Sequence, residues 1–481
     1  MESVAGDRAV DIAAELAVHC EQGREYERSV HYLEHAARKA MRRGAAYEAI
    51  RHLRTALRLL PTIAKTTGHS ERELTLYTLL APALMTAKGY GTTEVEQIYE
   101  RVLTLAHQVE DFPSVFPVLI GVGAFHAVRG KYHTAREVAT QLLRVAERAQ
   151  DSGLLVEAHA LMGVVAFYRG EFTTARAQLE QSMTLYDPRH HQAHALHYGQ
   201  DPWVVCCSYL AWALWTLGYQ DQAQARSEEA IAYAHELQHP MSLAFALGLA
   251  AIVQNVCRDS QAGCDRAEEL IALATEHGLP YWVGQGTIAH GRALVQSGRA
   301  HEGLAQIQQA VQAQRTIDGL GERPSFAILA EAHAAIGETE AGLQALAEAQ
   351  ATTQSEGGCY WDAEVSRLQG ELMLQHESNV HSRTPEGRQL TADPHGEAET
   401  CFRKALAIAR EQQAKSLELR AAVSLARLWQ QQEKQHEAHQ MIAELYSWFS
   451  EGFDAKDLQE AKALLDEVAT KASFRQTRTR P

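Results

Sequence analysis

Small residues return along this 481-residue chain at a nearly fixed interval. Ala135, Ala175, Ala223, Gly263, Gly303, Gly342, Ala398 and Ala438 are separated by 40, 48, 40, 40, 39, 56 and 40 residues. A period of this size marks stacked supersecondary units, each burying its apolar face only against its neighbours. Stacking also removes a difficulty of size, because a chain this long exceeds one compact helical core. Inside a unit, apolar residues step by three and four. Leu74, Tyr77, Leu80, Ala81, Leu84 and Met85 share one face of a helix across Glu71–Lys88. Two short β-like runs, Val115–Val122 and Trp203–Leu210, fall where the first helix of a unit belongs. Repeat phase therefore predicts helix for both, over local propensity. Proline is scarce, with 12 in all, which suits long helices.

The anchors define the unit. A Gly ends its first helix, and a second Gly seven residues later opens the turn. An aromatic follows at +2, a small residue at +5, a bulky one at +9 and another small one at +12. The clearest copy is Gly163, Gly170, Phe172, Ala175, Leu179 and Ser182. Others are Gly123, Gly130, Tyr132, Ala135 and Ala139, and Gly291, Gly298, Gly303, Ile307 and Ala310. A degenerate copy at Glu71–Gln108 has Val95 at the small position. This grammar resembles the tetratricopeptide (TPR) repeat, whose usual period is about 34 residues. The expected fold is all-α: a TPR-like α-α superhelical solenoid of about ten helix-hairpin units with a period near 40. The expected organisation is an opening helix in 1–25, a repeat array over 26–375, and a flexible polar insertion at 376–396. Final repeats and a capping helix follow over 397–470, with a disordered basic tail at 471–481.

Charge narrows the partners. Lys plus Arg is 45 and Asp plus Glu is 60, a formal net charge of −15. Such a chain is not suited to coating nucleic acid or an anionic membrane. The tail's Lys471, Arg475, Arg478 and Arg480 lack interleaved aromatics and read as a solvated end. Seven cysteines, an odd number without a C-x-x-C pair, read as reduced thiols in a cytoplasmic protein. Trp203–Tyr219 is 17 residues without a charge, at the lower limit for a membrane span. It contains Ser208, Thr216 and Gly218 and falls in repeat phase, so it is read as a repeat helix and no span is expected.

No phosphate loop, zinc-protease, nucleophile-elbow or dinucleotide motif occurs. Gly319–Gly321 and Gly357–Gly358 lack the following Lys. No catalytic residue, cofactor or metal is therefore assigned. His190, His191, His194 and His197 are the best metal candidates, but no Cys or carboxylate completes a set at familiar spacing. A polar inter-repeat loop is the preferred reading. After it, Asp201 suits an N-cap and Pro202 a first helical position. The alternative is a polar rim, with His194, Tyr198, Gln200, Asp201 and Trp203 touching a ligand or partner. Trp203, Tyr209, Trp212 and Trp215 are read first as inter-repeat core, and second as the lining of an inner groove. Tyr281–Trp282 and Tyr360–Trp361 open later units in the same way, and that repetition argues for a structural role.

Several phrases go beyond a generic repeat. They are GYGTTEVEQIYERVLTLAHQV (Gly89–Val109), LYDPRHHQAHALHYGQDPWVVCCSYLAWALWTLGYQDQA (Leu185–Ala223), QQAKSLELRAAVSLARLWQQQ (Gln412–Gln432) and EGFDAKDLQEAKALL (Glu451–Leu465). With CEQGREYERSVHYLEHAARKA (Cys20–Ala40), they resemble the C-terminal sensor region of bacterial STAND-type signalling ATPases, over about Asp11 to Leu465. In that family a class III cyclase or another output domain often precedes an AAA-like ATPase, and a TPR-like array follows. The chain begins just ahead of the array, so no ATP-binding or cyclase residue carries over. The resemblance implies a non-catalytic scaffold or sensor. Its partner would be an ATPase, a cyclase or a transcriptional output module, with a small-molecule inducer as a further ligand. The alternatives are a truncated cyclase–ATPase that keeps catalytic activity, and an accessory module of a DNA-linked regulator.

Overall fold

The computed structural model describes residues 12–63, 69–88, 92–109, 112–190, 194–195, 198–318, 323–351, 359–383 and 393–478. Among these residues there are 22 α-helices and no strand. Helix α1 (Ala13–Gln22) comes first. The next hairpins pair α2 (Tyr26–Arg42) with α3 (Ala46–Leu59), α4 (His69–Lys88) with α5 (Thr93–Val109), α6 (Phe112–Val128) with α7 (Tyr132–Ala149), and α8 (Ser152–Tyr168) with α9 (Phe172–Leu185). Then come α10 (Pro202–Leu217) with α11 (Gln220–Leu237), α12 (Pro240–Val256) with α13 (Ser260–Glu276), and α14 (Pro280–Gln296) with α15 (Ala300–Asp318). The last hairpins are α16 (Arg323–Ala335) with α17 (Thr339–Ala351), α18 (Asp362–Arg383) with α19 (Pro394–Glu411), and α20 (Lys415–Gln431) with α21 (Gln435–Tyr446). Helix α22 (Lys456–Arg478) lies against α20 and α21. The fold is a TPR-like solenoid, and both β-like runs are helical.

The repeat anchors do the work their spacing implies. Ala135, Ala175, Ala223, Ala398 and Ala438 are all buried where the two helices of a hairpin meet. The tightest approach joins α14 to α15. A Cβ added to Gly303 would sit 2.3 Å from the Gly291 carbonyl oxygen and 2.8 Å from Val295 Cγ2. The first Gly of the unit plays a different part from the one expected. Gly123, Gly163 and Gly291 lie inside α6, α8 and α14 rather than at their ends. Each makes room for a bulky neighbour; a Cβ on Gly163 would meet Leu179 at 2.7 Å. The second Gly does turn the chain. Gly218 has a φ of 98° and closes α10, with Tyr219 N–H donating to Leu214 O at 2.8 Å. Asp151, Asp201, Asp259 and Asp393 cap helix N-termini through their carboxylates.

Two expected boundaries change. The polar stretch 376–396 was expected to be a flexible insertion, but α18 runs on to Arg383 and α19 starts at Pro394. Residues 384–392 lie outside the described residues. The C-terminal end of α18 is held by tertiary hydrogen bonds: Gln375 Nε2 donates to Ala334 O at 2.9 Å, and Asn379 Nδ2 to Gly337 O at 3.2 Å. The tail was expected to be disordered over 471–481, yet α22 continues through Arg478. A helix already nucleated by docking extends at little further cost. Residues 479–481, like 1–11, lie outside the described residues.

The solenoid coils tightly enough for later units to pack on earlier ones. Helix α10 touches α20, and α4 touches α14. Ser416 Oγ donates to Trp215 O at 2.6 Å, and Tyr360 N–H to Tyr168 O at 3.1 Å. Gln412 Nε2 donates to Cys359 O at 3.0 Å. Beside this seam lies a charged cavity of about 260 Å³ with five arginines and five carboxylates. Arg420 is its centre: Nε donates to Asp457 Oδ2 at 2.7 Å, Nη2 reaches Val256 O, and the guanidinium lies 4.9 Å from the Trp215 ring centre. Burial opposes the charge on Glu364, but Arg367, Arg420 and Arg292 hold its carboxyl down at about 2.

Two measurements check this packing. Gly303→Ala should lower unfolding stability by about 2–3 kcal/mol, read from the urea midpoint, because the backbone of α14 cannot yield. Arg420→Ala should cost about 3–5 kcal/mol, because it removes the 2.7 Å partner of buried Asp457 and leaves Arg258, at 3.4 Å, as its remaining cation. Guanidinium denaturation would show a smaller loss if the seam were loosely held.

Candidate functional site

The first helices of successive hairpins face the inside of the coil. These helices are apolar on nearly every side, as buried helices must be. Between them lies a cavity of about 160 Å³. Its wall draws on α6, α8, α10, α12, α14 and α16, and Tyr360 and Trp361, just ahead of α18, close it from the next turn of the coil. The seam between turns therefore helps to make the cavity.

The middle of the wall is aromatic. Phe167 is a fully buried hub beneath it, with ring centres 4.8 Å from Trp212, 5.2 Å from Tyr360 and 5.4 Å from Tyr209. The Tyr168 and Tyr209 hydroxyls are hydrogen-bonded at 2.9 Å, and Phe245 meets Trp282 edge to face at 5.5 Å. Tyr168, Tyr209, Trp212, Phe245, Trp282, Tyr360 and Trp361 all line the cavity.

Polar groups are few. Glu157 lines the cavity from α8, fully buried, with its Oε1 2.6 Å from His194 Nδ1. Burial raises its carboxyl from 4.5 to about 7, against the pull of His194. Burial by itself would lower His194, but the carboxylates of Glu157, Asp201 and Asp151 outweigh it and raise the imidazole. Arg292 lines the cavity from α14, buried, with its Nε 2.9 Å from Glu331 Oε2. It also borders the charged cavity at the seam.

The sequence candidates divide. Tyr198 and Gln200 line the cavity. His194 reaches it through Glu157. Asp201 is an N-cap, accepting from Trp203 N–H at 2.9 Å and Val204 N–H at 3.2 Å, and it accepts from the Tyr186 hydroxyl at 2.6 Å. Pro202 is the first residue of α10. Trp203 is not part of the lining and packs edge to face on Tyr233 at 4.6 Å. His190 is exposed in a short 3₁₀ turn, away from a shared ligand face with the buried His194, and His191 and His197 lie outside the described residues.

The aromatic run also divides. Tyr209 and Trp212 face the cavity, whereas Trp215 is buried under Arg420. The pairs Tyr281–Trp282 and Tyr360–Trp361, expected to be structural, converge on the cavity as well. Sequence reasoning missed Glu157 and Arg292. Each is the one acidic or basic residue of Asp, Glu, Lys and Arg in an otherwise uncharged helix, a pattern that points to a paired buried charge.

No known protein family matches the chain, and no curated protein sequence matches it. Solved structures do. The fold is similar to that of a Rap protein complexed with competence and sporulation factor, at a TM-score of 0.55 and 10% identity, covering 80% of this chain and 98% of that one. Yeast Tom70 aligns at a TM-score of 0.36 and 10% identity, covering 98% of this chain and 97% of that one. The Rap likeness shows a shared fold of stacked helical hairpins. Among the described residues, no helix is long and apolar enough to cross a membrane.

Burial makes Glu157 bind its proton more tightly folded than unfolded, so its contribution to stability is full below about pH 4.5 and is lost as pH rises through about 7. His194, raised by its carboxylate neighbours, acts in the same direction. In Glu157→Gln this loss should disappear or reverse, since burial then lowers His194. Urea midpoints at pH 5 and pH 8 test it: wild type should lose more between them than the variant.

Proposed function

We propose that the chain is a non-catalytic sensor scaffold whose inner channel takes a ligand and whose outer surface engages a protein partner. The observation that supports this most is the aromatic cavity itself. It is concave, mostly apolar, and carries a few fixed polar groups at its margins, as small-ligand sites do. An array held together by apolar burial alone would fill such a space with side chains.

The position of the cavity supports signal input. Its wall combines units from two successive turns of the coil, so a ligand touches both α8–α10 and the Tyr360–Trp361 pair. A ligand that contacts both turns favours whichever coil pitch brings them together. The resemblance of segments such as Gly89–Val109 and Leu185–Ala223 to STAND sensor regions suggests the reader of that change: an ATPase, cyclase or transcriptional output module in the cytoplasm. Tyr198 and Gln200 are read as the polar contacts at one margin of the channel.

Blocking the channel tests the reading. Ala160 lines it, and Ala160→Phe places a ring in the open space. In a thermal-shift screen against a panel of apolar metabolites, wild type should gain several degrees with at least one compound. The variant should keep its helical circular dichroism and lose the shift. An unchanged shift in Ala160→Phe would place the ligand elsewhere and sink the proposal.

A further inference from the structure

Among the residues lining the channel, three buried donors have no protein acceptor, two of them on α14; the unpaired acceptor on that helix, Gln296 Oε1, belongs to a residue lining the charged cavity instead. Trp282, Gln285 and Arg292 lie at three- and seven-residue steps, on one face of that helix. Trp282 Nε1 and Gln285 Nε2 are buried and donate to no protein atom. Trp361, at the far turn, is 6% exposed, and its Nε1 is likewise buried without an acceptor. Arg292 is 4% exposed and lies 5.8 Å from the Trp361 ring centre. Its one protein hydrogen bond comes from Nε, to Glu331. Asn255 bears a buried unpaired acceptor in the same wall, but its Oδ1 lies against α13, 3.1 Å from where a Gly263 Cβ would stand.

Buried indole N–H groups ordinarily find an acceptor, and each one left unpaired costs free energy. A guanidinium with two unused nitrogens is the group best matched to a planar, bidentate anion. Between this end and the Glu157 end, the wall is mostly aromatic and aliphatic.

We propose that this channel binds an apolar, ring-bearing molecule ending in a carboxylate, with the carboxylate on Arg292 and Trp361. The inference rests on the channel being a ligand site and adds the chemistry of the ligand. The ring stacks among Tyr209, Trp212 and Tyr360, and acceptors along the ligand meet Gln285 and Trp282. The incoming carboxylate competes with Glu331 for the guanidinium. Glu331 is the exchangeable partner, because its side chain is 29% exposed and can turn to solvent while Arg292 cannot. The same end group occurs on a free aryl-alkanoic acid and at the C-terminus of a short apolar peptide.

Calorimetric titration of the full chain separates these sources. The probes are 4-phenylbutyrate and indole-3-propionate, each beside its primary amide, and a Phe-containing apolar tetrapeptide as free acid and as C-terminal amide. The source is whichever acid binds. That acid should bind at least about tenfold more tightly than its amide. Trp361→Phe keeps the ring and removes the donor; it should weaken the acid several-fold and leave the amide unchanged. Glu331→Gln removes the competitor and should tighten acid binding about five- to tenfold, a gain that a misfolded variant cannot mimic. Equal affinity for acid and amide, with both lost in Ala160→Phe, would overturn the carboxylate assignment while leaving the channel reading intact. No binding by any probe to the folded chain would overturn the carboxylate assignment, and the metabolite screen with Ala160→Phe then decides the channel reading on its own.

Discussion

Most hairpins close where a residue with little or no side chain lets two helices touch; in α4–α5 the place is taken by Val95. At Gly291 and Gly303 the approach is so close that a single added methyl group would meet backbone. The shape of the whole array depends on that contact. It sets the angle within a unit, and the angle, repeated about every 40 residues, sets the pitch of the coil. A small change per unit accumulates over ten units. The pitch here is tight enough that α20 returns to α10 and α14 to α4.

That return places Tyr360 and Trp361 over the inner face of the earlier turn and forms the cavity there. The seam is polar where it faces the charged cavity and aromatic where it faces the channel. Arg420 joins three elements at once, bonding to Asp457, Val256 and the face of Trp215. Buried ion networks of this kind contribute little net stability, since desolvation offsets most of the attraction. Here the bonds of Arg420 to Asp457 and to Val256 O hold α20 against α22 and α12. The aromatic side leaves space.

The solenoid was legible in the sequence because its cause is local. Small residues at a constant offset, apolar steps of three and four, and glycines at turns are all written within one unit of about 40 residues. So were the Asp201 cap and the start of α10 at Pro202, which depend on neighbours within a few positions. The boundaries were less legible. Polar composition at 376–396 and 471–481 suggested loose chain, yet Gln375 and Asn379 bond to the neighbouring hairpin and keep α18 helical as far as Arg383. Those partners lie about 40 residues away and leave no trace in local composition.

The candidate site shows the same division. Sequence alone placed Tyr209 and Trp212 along the first helix of one unit, and Tyr281, Trp282, Tyr360 and Trp361 at the openings of later ones. It could not say that they share one cavity, because Tyr209 and Tyr360 are four units apart. Only the coil's pitch brings them together. Likewise, Glu157 and Arg292 stand out as lone charges in their uncharged helices. Their partners, His194 and Glu331, are assigned by packing between neighbouring units. Periodicity specifies which face of a helix is buried; it carries no information about which buried face leaves room for a ligand. That is decided by the summed rotation of many units, a quantity no single repeat contains.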